Sequence, residues 1–367
     1  MWVFVMKTIC FYVSDYGYGH ASRSIALIRK ILFSNPYCRI IVKSEGPFDI
    51  LSKSLQDPRI SVIRYRNDIS IPLVSTEAVD VDKTRVLLTE WQESWTDYIA
   101  GEVRFCKEQG VDLILSDIAP QPFLVADVLG IPSVGISNFS WDTIYQHIVP
   151  EMTGFIDKLR SAYSHATLAC VLPFHVPMNA FRKTVPVSLL SRDITVPRNL
   201  MREHLGLNEE DTVVFFNPRY PVDQPGRIFK KTLSKGSIRL VMPSAFATRH
   251  SQIIALPAHE TESQNWIAMC DLVVTRCGYS TVSEAVQAKV PLVVWERPGF
   301  IEDHAIVADI RRLGAGISYD YSQIMSLDWI AELPEISGYK QHYVHITPNY
   351  VNSGSEDILS CLQEFIT

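Results

Sequence analysis

Four short segments carry residue types that could do chemistry together. The first, Ser14-Asp15-Tyr16-Gly17-Tyr18-Gly19-His20-Ala21-Ser22-Arg23, leads from an apolar run into a helical pattern. Gly17 and Gly19 let the backbone approach a ligand closely, and a helix starting there offers N–H groups that lack partners within it. The helix dipole at such a start disfavours a cation, which suits His20 to accepting a proton. The competing reading is a tight turn with a solvated histidine. The second segment is Asp117, which closes VDLILSD behind Ser116. A carboxylate there could orient His20 and stabilise the imidazolium, as an aspartate does in a catalytic triad. It could equally cap the next helix.

The third segment is Arg276-Cys277-Gly278-Tyr279-Ser280-Thr281-Val282-Ser283-Glu284. Gly278, the hydroxyls of Ser280 and Thr281 and the new helix would form an anion site suited to a diphosphate. Glu284, one turn into that helix, could accept bonds from both hydroxyls of a ribose. An ordinary capped helix uses the same residues. The fourth segment, Glu296 to His304, is a polar loop able to grip sugar hydroxyls. His304 would ligate a metal only with partners, and neither HxxxH nor HExxH accompanies it, so no metal is expected. His165, His175 and His259 show no ligand spacing either.

Strands and helices must position these segments. Thr8–Ser14 reads as a buried strand, followed by Ala21, Ile25, Ile28 and Leu32 on one helix face. Arg39–Lys43 and Ile60–Tyr65 are further strands. A long amphipathic helix from Thr84 should end at Gly110, where glycine takes the left-handed position. The chain then repeats itself. VDLILSD, a helix and LGIPSVGIS are matched by CDLVVTRCGYS, a helix and AKVPLVVWE. Twenty residues separate Asp112 from Pro132, and twenty separate Asp271 from Pro291. Unless two βαβ units coincide by chance, this spacing predicts two similar open α/β domains with parallel sheets. The polar stretch Ser191–Asn199 divides them into residues 1–195 and 196–367. A C-terminal helix over about 354–366, with apolar Ile358, Leu359, Leu362 and Ile366, would pack back on the first domain. Ligands of such sheets bind beyond the carboxyl ends of the strands, where strand order reverses. Two facing domains would put the site in the cleft between them.

Composition agrees with a folded globule. The 367 residues are 47% hydrophobic and 20% charged, with 34 basic against 40 acidic side chains and a formal charge of −6. That balance gives no whole-chain footprint for nucleic acid. The seven cysteines show no CxxC pair and read as reduced thiols, so a cytoplasmic protein is expected. No apolar run approaches membrane-spanning length. No GxSxG elbow or GxxxxGK[ST] loop occurs, against an α/β-hydrolase or a P-loop NTPase.

Taken in order, the segments resemble the GT-B glycosyltransferases, both the bacterial cell-wall N-acetylglucosaminyltransferase and the UDP-glycosyltransferases. YVSDYGYGHASRS, VDLILSDIAPQPFLVADVLGIPSVGISNFSWDTIY, LPFHVPMNAFR and GYSTVSEA are most similar to the glycosyltransferase-like N-terminal region of L-arabinokinases. The resemblance implies an inverting, metal-independent transfer of a hexosyl group from a nucleotide-diphosphate sugar of UDP type, with no other cofactor. The acceptor would be a hydroxyl on a small molecule or a lipid-linked one, the latter at the inner membrane surface. It implies His20 as general base paired with Asp117, Glu284 on the ribose and Ser280 and Thr281 on the phosphates. Asp303 and His304 stand where an acid–glutamine pair holds the donor sugar, with histidine replacing glutamine. Two departures stand out. Pro218-Arg219-Tyr220-Pro221 replaces a glycine-rich phosphate turn, where Arg219 could act as a cation. Asp15-Tyr16 stands where a glycine–histidine pair is expected. The sequence stops where the kinase half of an arabinokinase would begin, so sugar phosphorylation is not implied. A non-catalytic nucleotide-sugar-binding module and a nucleotide-sugar 2-epimerase are the other readings. Trp91, Trp95 and Trp141 suit an acceptor cleft or a membrane surface less well than a core. Oligomeric state is left open.

Overall fold

The computed structural model describes residues 6–74, 78–218, 238–247, 249–330, 332–339, 350 and 354–366. The chain forms two compact units. One comprises Met1–Ser191, Gly299–Glu302 and Asn352–Thr367, and the other Arg192–Pro298 and Asp303–Val351.

The first unit is built on strands β1 (Lys7–Val13), β2 (Cys38–Lys43), β3 (Ile60–Ile63), β4 (Leu113–Asp117), β5 (Ser133–Ser137), β6 (Leu168–Val171) and β7 (Thr184–Pro186). Their order is β3-β2-β1-β4-β5-β6-β7, and all pairs are parallel. Helices α1 (Tyr18–Ser34), α2 (Phe48–Ser54), α3 (Val81–Gln109), α4 (Gln121–Leu129), α5 (Trp141–Ile148) and α6 (Thr153–Tyr163) join them. Strands covered on both faces read as apolar runs rather than as alternation, and β1 and β4 do so. Asp80 caps α3 by accepting a bond from Lys83 N, and Gly110 ends it at φ 61°. Lys43 and Glu102, both buried, tie α3 to the sheet, Nζ lying 2.6 and 2.7 Å from the carboxylate oxygens.

The second unit repeats the plan with β8 (Thr212–Asn217), β9 (Ile238–Pro243), β10 (Ile253–Leu256), β11 (Leu272–Arg276), β12 (Leu292–Trp295) and β13 (Gly316–Ser318). The order β10-β9-β8-β11-β12-β13 repeats that of the first six strands of the other sheet. Its helices are α7 (Arg198–His204), α8 (Ser263–Ala268), α9 (Tyr279–Gln287), α10 (Ile301–Leu313, of which the first two residues count with the first unit), α11 (Tyr321–Ser326) and α12 (Leu333–Ser337). The equal spacing in the sequence corresponds to equal hydrogen bonds. Asp112 N donates to Thr8 O and its Oδ2 accepts from Thr8 N, each at 2.8 Å. Asp271 does the same with Val213, at 2.7 and 2.9 Å. Twenty residues on, Pro132 O accepts from Ile114 N and Pro291 O from Val273 N, at 3.1 and 2.9 Å.

The C-terminal helix α13 (Gly354–Ile366) belongs to the first unit. Gly354 N donates to Leu189 O at 2.7 Å, and Asp357 accepts from Ser188 N at 2.8 Å. A Cβ on Gly354 would fall 2.2 Å from Ser188 O, so only glycine allows this approach. Ile358 and Leu362 are buried. Trp91, Trp95 and Trp141 are buried too, as core residues are, and Trp91 also lines a cavity of about 430 Å³ with Tyr65, Glu90 and Tyr98. Among the described residues no helix is long and apolar enough to cross a membrane.

Candidate functional site

In the first unit strand order reverses between β1 and β4, and the chemistry gathers at their carboxyl ends. β1 runs into Gly17, the residue before α1, whose φ of 145° few other residues adopt without strain. His20 and Arg23, three residues apart on α1, share its inward face. Asp117 ends β4, Ser137 ends β5, and Asn138 follows. His20 Nδ1 lies 2.8 Å from Asp117 Oδ1. The carboxylate also receives a bidentate pair from Arg23, Nε to Oδ2 and Nη2 to Oδ1, both 2.6 Å. Arg23 Nη1 donates to Asn138 Oδ1 at 2.7 Å and Nη2 reaches Ser137 Oγ at 3.0 Å. His20, Arg23 and Asp117 are only 5%, 2% and 1% exposed. Burial alone would raise the Asp117 pKa. The Arg23 guanidinium and then His20 outweigh it and hold the carboxyl below its ordinary range. Asp117 is therefore a buried anion, not a helix cap. The helix α4 that follows has no side-chain cap bond.

Arg23 lies within the first segment, but its part in the site becomes apparent only in the fold. The signal was present: a basic residue one helical turn after His20, pointing toward a strand that ends in aspartate.

Asp15, a departure from the resembling families, organises the neighbouring loops. Its Oδ1 accepts from Glu45 N, Gly46 N and Ser44 Oγ at 2.7, 2.9 and 3.1 Å, and its Oδ2 from Asn67 N at 2.7 Å. Asp68 returns the bond, accepting from Asp15 N at 2.7 Å and from Trp141 Nε1 at 3.0 Å. Burial, and then the Asp15 charge beside it, push Asp68 up to about 8. In the unfolded chain an aspartate titrates near ~3.9. The folded state thus binds the extra proton between those values, and stability falls as pH rises across that window. Melting temperatures measured across that window should decline for the native chain and decline less for Asp68→Asn.

Tyr16 stands beside His20, with ring centroids 6.3 Å apart. It meets Trp141 edge-on at 5.4 Å and stacks on Phe300 at 6.2 Å. Phe139 meets the His20 ring edge-on at 5.6 Å. A cavity of about 600 Å³, lined by Asp142, Thr143, His147 and Arg160 among others, includes none of the residues singled out from the sequence.

In the second unit the matching reversal lies between β8 and β11. Gly278 precedes α9 in an extended conformation, φ −140°, with room for a Cβ, so its use is open backbone rather than special torsion. Ser280 and Thr281 stand in the first turn of α9, and Arg276 ends β11. Glu284 is 4% exposed and already partnered. Arg192 Nε donates to its Oε1 at 2.8 Å, and Nη2 lies 2.8 Å from the same oxygen. Arg192 also donates to Thr261 O and to Ser263 Oγ. Burial raises the Glu284 pKa, and Arg192 opposes part of that rise. Arg192 was not anticipated, because 92 residues separate it from Glu284.

The fourth segment differs most from expectation. Asp303 is fully buried and holds Arg297 by three bonds, from Arg297 N, Nε and Nη2 at 2.8, 3.0 and 2.7 Å. That carboxylate braces the loop after β12. His304 is exposed and pairs with Glu296 at 2.8 Å. Arg219 lies outside the described residues.

No family model matches the chain. By sequence it is similar to the L-arabinokinase of Arabidopsis thaliana, with 26% identity over 371 residues and 96% of this chain covered. The chain spans about a third of that relative's length, 34%. Among solved structures it is similar to UGT89C1 of Arabidopsis thaliana complexed with quercetin, at TM-score 0.67 and 14% identity, covering 98% and 99% of the two chains. A UDP-glucosyltransferase of Polygonum tinctorium capable of glucosylating indoxyl gives 0.65 and 14%, covering 98% of each. The calicheamicin glycosyltransferase CalG4 gives 0.64 and 14%, covering 99% and 100%. Together with the two doubly wound parallel sheets, these likenesses show that the chain has the GT-B glycosyltransferase fold.

Proposed function

We propose that the protein is an inverting, metal-independent glycosyltransferase that moves a hexosyl group from a nucleotide-diphosphate sugar, of UDP type, to an acceptor hydroxyl. One observation carries the reading: a buried His20–Asp117 pair, 2.8 Å apart, at the strand-order reversal where such sheets bind ligands. His20 removes the acceptor proton through Nε2 while the hydroxyl oxygen attacks the anomeric carbon. The bond from that carbon to the diphosphate breaks, and the N–H groups at the start of α9, with Gly278, Ser280, Thr281, Arg276 and Arg219, receive the leaving charge. Both guanidinium contacts to Glu284 fall on Oε1, which leaves Oε2 for a ribose hydroxyl. Neighbours that bind quercetin or glucosylate indoxyl support a hydroxyl acceptor on a small molecule.

Glu284→Gln keeps an acceptor for Arg192 but removes the anionic one. Nucleotide affinity should fall by about tenfold, the loss of one charge-assisted bond, with turnover at saturating donor nearly unchanged. Calorimetric titration and saturation kinetics check both parts. Chelation of divalent ions should leave turnover unaltered. A nucleotide-sugar-binding module is the second reading, favoured by the commitment of Asp303 to Arg297. Nucleotide binding without turnover across acceptors would select it.

A further inference from the structure

We infer that the cavity between α5 and α6 is a binding site for an uncharged, polyhydroxylated ligand, a mono- or disaccharide, with the buried Asp142 carboxyl group at its floor. The site lies wholly within the first unit and does not depend on the role proposed for His20.

Two helices turn polar faces toward this space. On α5, Trp141, Ile144 and Tyr145 are buried, and Trp141 packs against Tyr16 and Phe139 beside the His20 ring. Asp142, Thr143, Gln146 and His147 fall at i, i+1, i+4 and i+5, which groups them on another face of the same helix. On α6, Phe155, Ile156, Leu159 and Tyr163 are buried, while Arg160, Ser161 and, just past its end, Ser164 line the cavity. Pro177, Asn179 and Ala180 form a third side. Thr143 Oγ1 donates to Pro177 O at 2.9 Å, which ties that loop to α5. The volume of about 600 Å³ falls within the roughly 300–1,000 Å³ of small-molecule sites.

The lining selects the ligand. Its apolar wall is limited to Pro177 and Ala180, too little to hold an apolar molecule. Arg160 is committed to the protein: Nη1 donates to Asp157 Oδ1 at 3.0 Å, Nη2 to Gln146 Oε1 at 2.9 Å, and Nε stands 3.5 Å from Asp142 Oδ2. An anion entering here would meet Asp142 with that guanidinium already taken, and a cation would meet the guanidinium itself. A neutral ligand meets neither penalty. Asp142 is 4% exposed, and its Oδ1 has no hydrogen-bond donor among the described residues. Burial raises the pKa of this carboxyl, and Ser140 and Arg160 offset part of the rise. A buried acceptor without a donor is costly, and a ligand O–H supplies one. His147 Nδ1 donates to Thr143 O at 2.9 Å, so the neutral ring keeps Nε2 as an acceptor. Gln146 uses its oxygen on Arg160, which leaves its Nε2 to donate. Acceptors and a donor on one wall call for groups that both give and receive. Hydroxyls do so, and a sugar ring presents several at fixed spacing.

The test titrates the full chain with D-glucose, D-galactose, D-xylose and maltose by calorimetry, and follows the same mixtures by amide hydrogen exchange. At least one of these sugars should give saturable heat, with exchange slowed in α5, α6 and residues 177–180. Asp142→Asn should weaken that binding by roughly tenfold, the loss of one charge-assisted bond. Should this variant fail to fold, Gln146→Ala, at a partly exposed position, removes the amide donor and should weaken binding severalfold. Inorganic phosphate and tetramethylammonium should give no saturable heat. The inference is overturned if none of the sugars binds, if exchange slows only elsewhere, or if affinity is unchanged in whichever variant folds. Binding of phosphate or tetramethylammonium in place of the sugars overturns it too. His20→Ala should bind the sugar as the native chain does, so a failed base assignment leaves this result untouched.

Discussion

His20→Ala should lower sugar transfer by roughly 10²–10⁴-fold, the range a positioned general base supplies, with nucleotide affinity held within about twofold. His20 projects from the first turn of α1 in the first unit, whereas Gly278, Ser280, Thr281 and Glu284 all lie in or before α9 of the second. Removing an imidazole at one place takes away proton acceptance without touching the groups proposed to hold the nucleotide. The ring also packs edge-on against Phe139, so the variant will melt somewhat earlier. Rates are therefore compared well below its melting temperature, with affinity read by calorimetry. A uniform loss of both rate and affinity would point to a damaged fold rather than a missing base.

Asp117→Ala should have the largest effect on stability, a loss of about 3–5 kcal/mol, because it strands a buried cation. Arg23, 2% exposed to water, would keep Asn138 and Ser137 as neutral partners but lose the carboxylate that its Nε and Nη2 grip. The shift of the urea midpoint measures the loss. Replacing both residues, Arg23→Met with Asp117→Leu, should recover much of it, since a buried pair is often no more stable than apolar side chains of similar volume. Acid tests the same pair. The Asp117 pKa is depressed in the fold, so its contribution is present above the unfolded value near ~3.9 and is lost as pH falls through the folded one. Asp68 acts with the opposite sign at higher pH.

Much of this architecture was legible in the sequence because it is local or periodic. The glycine at 110, the strand runs of β1 and β4, and the equal Asp–Pro spacings each follow from backbone geometry within one βαβ unit. His20 and Asp117 were legible as a pair because strands of an open sheet deliver their carboxyl ends to one edge. The rest depends on which side chains meet across the fold. Arg23 reaches Asp117 across 94 residues and Arg192 reaches Glu284 across 92, and no periodicity announces such meetings. The partner of Asp303 was equally hidden. The position of Asp303 in the chain matched a sugar-binding acid, and Arg297, six residues earlier, claims both of its oxygens.

The central claim is that His20 catalyses transfer from a nucleotide sugar held by the second unit. It is tested most directly by nucleoside-diphosphate release from UDP-, TDP- and GDP-sugars, with and without a panel of hydroxyl acceptors, in native protein and His20→Ala. Release should require an acceptor and fall by roughly 10²-fold or more in the variant. Binding without release in the native protein, or equal release from both proteins, would contradict it.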